Sequence, residues 1–147
     1  MRTIRVGLIL LALGCAEPTA ISPRPAVPTI VGVKQEKNSY SINAADGAVY
    51  VRLTQVRSED GEPIRAFMQR MFESADSADA RRLVIDLRSI SGGDARLLVP
   101  LIKGILARDR FVQNGGLYLV VGPHSFSPGQ NAATLLQKYA HPTFVRN

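Results

Sequence analysis

The chain has 147 residues, of which 46% are hydrophobic and 20% charged, with 12 glycines, 9 prolines and a net charge of +6. This size and composition suit one small globular domain with some unstructured sequence, and they exclude two full domains. The basic residues are interspersed with acidic ones, as in Arg108-Asp109-Arg110, and form no basic stripe with interleaved aromatic residues. We therefore expect no nucleic-acid partner.

Residues 1–15 are predicted to form a signal peptide. They have two arginines within the first five residues, continue with a short apolar stretch and end in Cys15, which is the pattern of a secretory signal. The last four also resemble a bacterial lipobox, which would make Cys15 the lipidated first residue of a membrane-anchored lipoprotein. The alternative is cleavage after Ala16 by the ordinary signal peptidase. We expect an exported protein of the cell envelope or periplasm, or a secreted one, and no disulfide because there is one cysteine.

Residues 16–45 are predicted to be a proline-rich tether followed by a poorly defined segment. Four prolines fall within residues 17–28, and proline lacks a backbone donor and favours extended chain. Residues 30–33 can form a short strand, and residues 34–41 have the composition of a loop.

An alternation of strands and helices fills the third region, residues 46–147. The predicted strands are residues 48–56, 82–88, 117–121 and a last strand that begins at 143. The predicted helices are one that starts after Gly61-Glu62-Pro63, one at 95–108 and one at 127–141. The stripe expected to be buried on the second helix is Leu97, Leu98, Leu101, Ile102 and Ile105. This order predicts an α/β domain with a largely parallel sheet and crossover helices.

Two loops at the carboxyl ends of predicted strands can carry chemistry, because ligands of such sheets bind there. The first contains Gly92 and Gly93 at the entrance of a helix. Adjacent glycines there can point backbone N–H groups at a developing negative charge, or they can simply allow a sharp turn.

The second loop contains Ser127 between a buried strand and a helix. A serine there is exposed at the positive end of the helix dipole, which suits a nucleophile. Ser127-Pro128-Gly129-Gln130 is also a good capping box, with proline at the first helical position. Both interpretations stay open from spacing alone.

The two loops considered together resemble the tail-specific (C-terminal processing) serine protease family over residues 47–145. The similarity lies in Asp86-Leu87-Arg88, a small-residue turn with two glycines, and Phe126-Ser127 three residues before Gln130. It implies the α/β fold shared with the Clp protease and crotonase groups. It also implies a nucleophile at Ser127, oxyanion-hole donors at Gly92 and Gly93, and supporting roles for Asp86, Arg88 and Gln130.

The chain departs from this family at three points. Ile90 stands where many members have asparagine, and Pro128 lacks the N–H that the residue after the serine contributes to the oxyanion hole. The family's lysine base follows a later turn, before which the chain ends at Asn147. We therefore expect a C-terminally incomplete domain that is inactive or very slow by itself and relies on an external lysine.

Other bases within the chain are weaker candidates. Lys138 lies about 16 Å from Ser127 along the predicted helix, His141 is at the far end of that helix, and His124 precedes the serine in the same tight loop.

The sequence thus predicts an exported serine-type peptidase that acts on peptides or protein C-terminal segments. The alternative is a non-catalytic peptide- or lipid-binding domain on the same fold. Neither a Gly-x-Gly-x-x-Gly motif nor a P-loop supports nucleotide binding, and no cofactor or metal site is expected. Bare apolar surface on an incomplete sheet predicts self-association.

Overall fold

A computed structural model describes residues 37–113 and 115–146. The predicted signal peptide with Cys15, most of the predicted tether and the predicted strand at 30–33 lie outside the described residues. None of the described helices is long and apolar enough to cross a membrane.

The described residues form a five-stranded sheet in the order β1-β2-β3-β4-β5. β1 pairs antiparallel with β2, and every other neighbouring pair is parallel. The strands are β1 Ser39–Asn43, β2 Ala48–Arg52, β3 Arg82–Asp86, β4 Leu117–Val121 and β5 Thr143–Arg146. The prediction of an α/β domain with a largely parallel sheet is confirmed.

The loop predicted over residues 34–41 was wrong from Ser39 onward, because that residue starts β1. The turn to β2 is stabilised by Asn43, which donates to Asp46 Oδ2 at 2.7 Å and accepts from the Ala45 N–H at 3.1 Å. β1 reads Ser-Tyr-Ser-Ile-Asn, a polar edge strand whose pairing with β2 identifies it as a strand.

The helices are α1 Ile64–Ser77, α2 Val99–Leu106, α3 Asp109–Val112 and α4 Pro128–Ala140. Successive right-handed crossovers between neighbouring parallel strands place these helices on one face of the sheet. The main core lies between that face and the helices, and it includes Val49, Ile85 and Leu119 from three neighbouring strands. The opposite face carries a smaller cluster around Val84, Tyr118 and Val120, to which no described helix residue belongs.

The single helix predicted over residues 95–108 was wrong. A 3-10 turn, Ala95–Leu98, precedes α2, and the short α3 follows it. Pro100 has no N–H for the preceding turn, so a regular helix starts at this point instead of continuing. Leu97, which was predicted to be buried, is 41% exposed, whereas the other four members of the stripe are buried.

Candidate functional site

Three loops meet at the carboxyl edge of the sheet. They follow β2, β3 and β4, and parallel strands bring their carboxyl ends to the same edge. The candidate residues Gly92, Gly93 and Ser127 are all on these loops.

The loop after β3 is fastened to the loop after β2 beyond the ends of both strands. The Val56 N–H donates to Gly92 O at 2.9 Å, and the Asp94 N–H donates to Val56 O at 3.3 Å. Nearby, the Ser91 N–H donates to Thr54 O at 2.8 Å. These bonds fix the diglycine segment in an extended course beside residues 54–56.

Gly93 is required at its position for two structural reasons. Its φ of 123° is a conformation that L residues rarely adopt. A Cβ at this residue would also overlap the backbone of Val56. This close approach to Val56 is therefore the physical reason why the turn needs glycine at residue 93.

The same geometry leaves two N–H groups available. The bonds to Val56 use the groups on either side of Gly93, so the Gly93 N–H points away from that segment. Among residues 37–113 and 115–146, neither the Gly92 nor the Gly93 N–H has a hydrogen-bond partner. An N–H group without a partner is the kind of donor that the oxyanion interpretation requires.

The loops after β3 and β4 are joined by a serine that sequence reasoning missed. The buried Ser125 hydroxyl donates to Leu87 O at 2.9 Å and accepts from the Gly122 N–H at 3.0 Å. The Phe126 N–H then donates to Ile90 O at 3.4 Å. Nothing in the local pattern distinguishes Ser125 from its exposed neighbours, because its partners come from another strand end.

Ile90, on the loop after β3, is a core residue in this fold. Its side chain is fully buried, and its Cγ2 methyl lies where a Cβ on Gly129 would be. The isoleucine thereby packs the diglycine loop against the first turn of α4.

Ser127 is the N-cap residue of α4, but it does not cap the helix with its side chain. The hydroxyl makes no capping hydrogen bond, and the residue is exposed with φ 20° and ψ −81°. The capping-box interpretation of Ser127 and Gln130 was therefore wrong. A non-glycine residue in so disfavoured a conformation is typical of functional sites, where the surrounding structure imposes the geometry.

The third predicted element, Asp86 with Arg88, lies on the sheet face opposite the helices. The Asp86 carboxylate accepts from Arg88 Nε at 3.0 Å and from Arg52 Nε at 3.0 Å. Burial alone would raise the pKa of Asp86, but the hydrogen bonds and positive charge of Arg88, with help from Arg52, outweigh burial and lower the pKa. The Arg88 side-chain stem packs closely on Gly122, so this pair connects the ends of β3 and β4.

Sequence reasoning missed Arg52 as a member of this cluster. Arg52 lies directly opposite Asp86 in the register of β2 and β3. A basic residue at the end of a strand is visible in the sequence, but its partner depends on a strand register that the sequence alone does not reveal.

Two of the other candidate bases lie at the opposite end of α4 from Ser127. Lys138 lies in the last turn of α4 and His141 is its C-cap residue, whereas Ser127 is the N-cap. The helix rise separates Ser127 from Lys138 by about 16 Å. His124 lies in the turn before Ser125, exposed to solvent and without a hydrogen bond to any described residue.

A scan of protein-family models and a search of curated proteins found no match to this chain. Within the described residues there is no group of three or more His, Cys, Asp or Glu side chains placed to hold a metal ion.

Proposed function

We propose that this protein is an exported serine-type peptidase of the tail-specific type, on a Clp protease/crotonase-like fold, with Ser127 as its nucleophile. The observation that carries the proposal is the combination of an exposed, uncapped serine hydroxyl at a helix N-terminus with two unpaired glycine N–H groups on the adjoining loop. A nucleophile and donors for an oxyanion are the two requirements of acyl transfer.

The reaction would proceed through an ester of Ser127. Its Oγ attacks the peptide carbonyl carbon, and the N–H groups of Gly92 and Gly93 stabilise the negative oxygen that forms. The C–N bond then breaks, the hydroxyl proton passes through a base to the leaving amine, and water hydrolyses the ester. Because Pro128 supplies no N–H, the glycine pair has to carry the stabilisation that two loops share in the resembled family.

The missing base defines the test. No base among the described residues hydrogen-bonds to the Ser127 hydroxyl, so we expect slow labelling of the dilute protein by a small fluorophosphonate. Imidazole added at high concentration can replace a missing general base and should increase the rate of labelling at Ser127, mapped by mass spectrometry.

Two variants control this experiment. Ser127→Ala should abolish the labelling, whereas Ser89→Ala, which removes an exposed serine from the neighbouring loop, should leave it unchanged. Labelling that maps to other hydroxyls, or the absence of Ser127 labelling under every condition, would contradict the proposal.

A non-catalytic peptide- or lipid-binding domain is the second candidate, and Pro128 favours it. Loss of one oxyanion donor typically lowers a rate by about 10²–10³, and the buried Ile90 offers the site no polar group of its own side chain. In that case a peptide would bind the isolated protein without covalent modification of Ser127 under any of these conditions.

We also propose that the mature protein is exported and anchored through a lipid on Cys15. Mass spectrometry of the N-terminal peptide from expressing cells tests this, because a lipidated Cys15 would carry diacylglycerol. An N-terminus at Glu17 would indicate ordinary secretion instead.

A further inference from the structure

We propose that a second copy of this chain completes the site, by pairing along β5 so that His141 of the partner subunit lies beside Ser127 as its general base. This inference rests on the proposed function, since it supplies a general base for Ser127, whose hydroxyl has no base as a hydrogen-bond partner among the described residues. The occupant of the interface is the chain itself, in a two-fold symmetric dimer.

The first observation is an open sheet edge at β5. In the described part of the chain, β5 pairs with β4 on one side and with no strand on the other. Its sequence, Thr-Phe-Val-Arg, contains neither a lysine nor a proline that would block pairing. Such an edge presents unpaired N–H and C=O groups that another strand can use.

The second observation is apolar surface on the helix that precedes this edge. Leu135 is 40% exposed and Tyr139 is 51% exposed, and a spacing of four residues places them on one side of α4. Ala133, on the other side of the buried residues Ala132 and Leu136, packs against the main core. Leu135 and Tyr139 therefore form an uncovered flank of α4.

Charge and side-chain type are compatible with pairing between identical edges. An antiparallel pair centred on Phe144 places Thr143 opposite Val145 of the partner subunit and Arg146 opposite Pro142 of the partner subunit, so no like charges face each other. The two α4 helices then run antiparallel on the same face of the joined sheet. Each contains one charged residue, Lys138, and the positive end of each dipole lies beside the negative end of the other.

This symmetry has a direct consequence for the site. α4 runs from Pro128 to Ala140, with Ser127 as N-cap and His141 as C-cap. When two such helices pack antiparallel about their midpoints, the C-cap residue of one lies beside the N-cap residue of the other. Packed helix axes are about 8–10 Å apart, a gap that an imidazole and a serine side chain can bridge.

His141 is suited to this role by its position. It is exposed, has the left-handed conformation (φ 46°, ψ 54°) and makes no hydrogen bond to any described residue. In the dimer, His141 of the partner subunit would accept the Ser127 Oγ proton as the Oγ–C bond forms. It would return that proton to the amine nitrogen as the C–N bond breaks, and then activate the water that hydrolyses the ester.

The first experiment measures dependence on protein concentration. Without imidazole, fluorophosphonate labelling of Ser127 should rise with the dimer fraction seen by sedimentation. Leu135→Glu should abolish both dimer formation and imidazole-free labelling. Leu106→Glu, at a similarly exposed leucine on α2 (37%), should leave dimer formation and labelling unchanged. A monomer at all concentrations, or labelling that is independent of dimer formation, would overturn the inference.

The second experiment mixes two variants that are each inactive. Ser127→Ala keeps the base, and His141→Asn keeps the nucleophile. Asparagine suits the left-handed C-cap conformation, so the helix end should persist in His141→Asn. His141→Gly is a second variant that keeps the nucleophile and suits this conformation. Mixing should restore labelling to about a quarter of the wild-type level, because half of the dimers are mixed and each has one intact site.

The outcomes separate this inference from the proposed function. No recovery on mixing, with dimers present, would overturn the role of His141 in the partner subunit. If imidazole still accelerates Ser127 labelling, the nucleophile assignment stands while the dimer site fails. If imidazole has no effect and no condition labels Ser127, the proposed function fails first.

Discussion

Ile90 and Gly129 are in direct contact across the two loops of the candidate site. The isoleucine Cγ2 methyl occupies the space where a side chain at residue 129 would begin, and Ile90 is fully buried. The contact sets the spacing between the diglycine segment and the first turn of α4. Ser127, at the start of that turn, therefore depends on a packing contact that it does not itself make.

Gly129→Ala should destabilise the fold by about 1–3 kcal/mol, because the buried Cγ2 methyl of the stiff Ile90 side chain has to move. The direction is informative because alanine is normally the better helix residue. Urea unfolding measures the change. The matched control is the double variant Gly129→Ala/Ile90→Ala, in which the new Cβ no longer overlaps the isoleucine methyl group. The double variant should then be more stable than the sum of the two single losses predicts, and simple additivity would contradict the contact.

Gly93→Ala should cost more than Gly115→Ala. Both glycines have positive φ, but a Cβ at Gly93 would also overlap the backbone of Val56, whereas nothing lies within 4 Å of one at Gly115. We expect Gly115→Ala to lower the free energy of unfolding by about 1 kcal/mol, from the positive φ alone. Gly93→Ala should lower it by at least twice as much. Chemical denaturation of both variants checks this, and equal losses would show that the approach to Val56 is not a constraint.

Ser127→Ala should leave stability almost unchanged, because the hydroxyl makes no capping bond. Replacing a serine whose side chain caps a helix with alanine costs about 1 kcal/mol of stability. Ser127→Gly should be more stable than Ser127→Ala by about 1 kcal/mol, since glycine lacks the Cβ that disfavours positive φ. Thermal unfolding of the three proteins distinguishes these cases, and a clear loss in Ser127→Ala would restore the capping interpretation.

Asp86 should make the fold sensitive to acid. Its pKa is lowered in the folded protein, so its contribution is fully present above the unfolded value of about 3.9 and is lost as the pH falls through the lower folded value. At neutral pH, Asp86→Asn should cost about 2 kcal/mol, because Arg88 and Arg52 lose a charged partner in a part-buried site.

The measurement for Asp86 is unfolding free energy against pH. Wild type should lose stability more steeply than Asp86→Asn below about pH 4. Asp94→Asn is the control, because Asp94 is also paired with an arginine but lies at an exposed position. Parallel pH profiles for wild type and Asp86→Asn would contradict the role given to this carboxylate.

Much of the fold follows from patterns that are local in the chain. The continuous apolar run of β4 predicted its bounds without error, and the spacing of Ile64, Phe67 and Met71 predicted the buried face of α1. Such patterns are readable because burial on one face imposes a period of two or 3.6 residues. β1 was missed since its residues are polar and its strand conformation depends on pairing with β2.

The sequence by itself determined which loops enter helices at the carboxyl edge of the sheet, and it identified Ser127 and the glycine pair as the residues to consider. Only the tertiary structure revealed which groups these residues contact, because each contact involves a partner distant in the chain. The close approach of Val56 explains why residue 93 is a glycine. The absence of a side-chain capping bond contradicts the capping-box interpretation of Ser127, and strand register brings Arg52 to Asp86. Hydrogen bonds and close packing act over a few ångströms in space, and sequence separation does not reveal those distances.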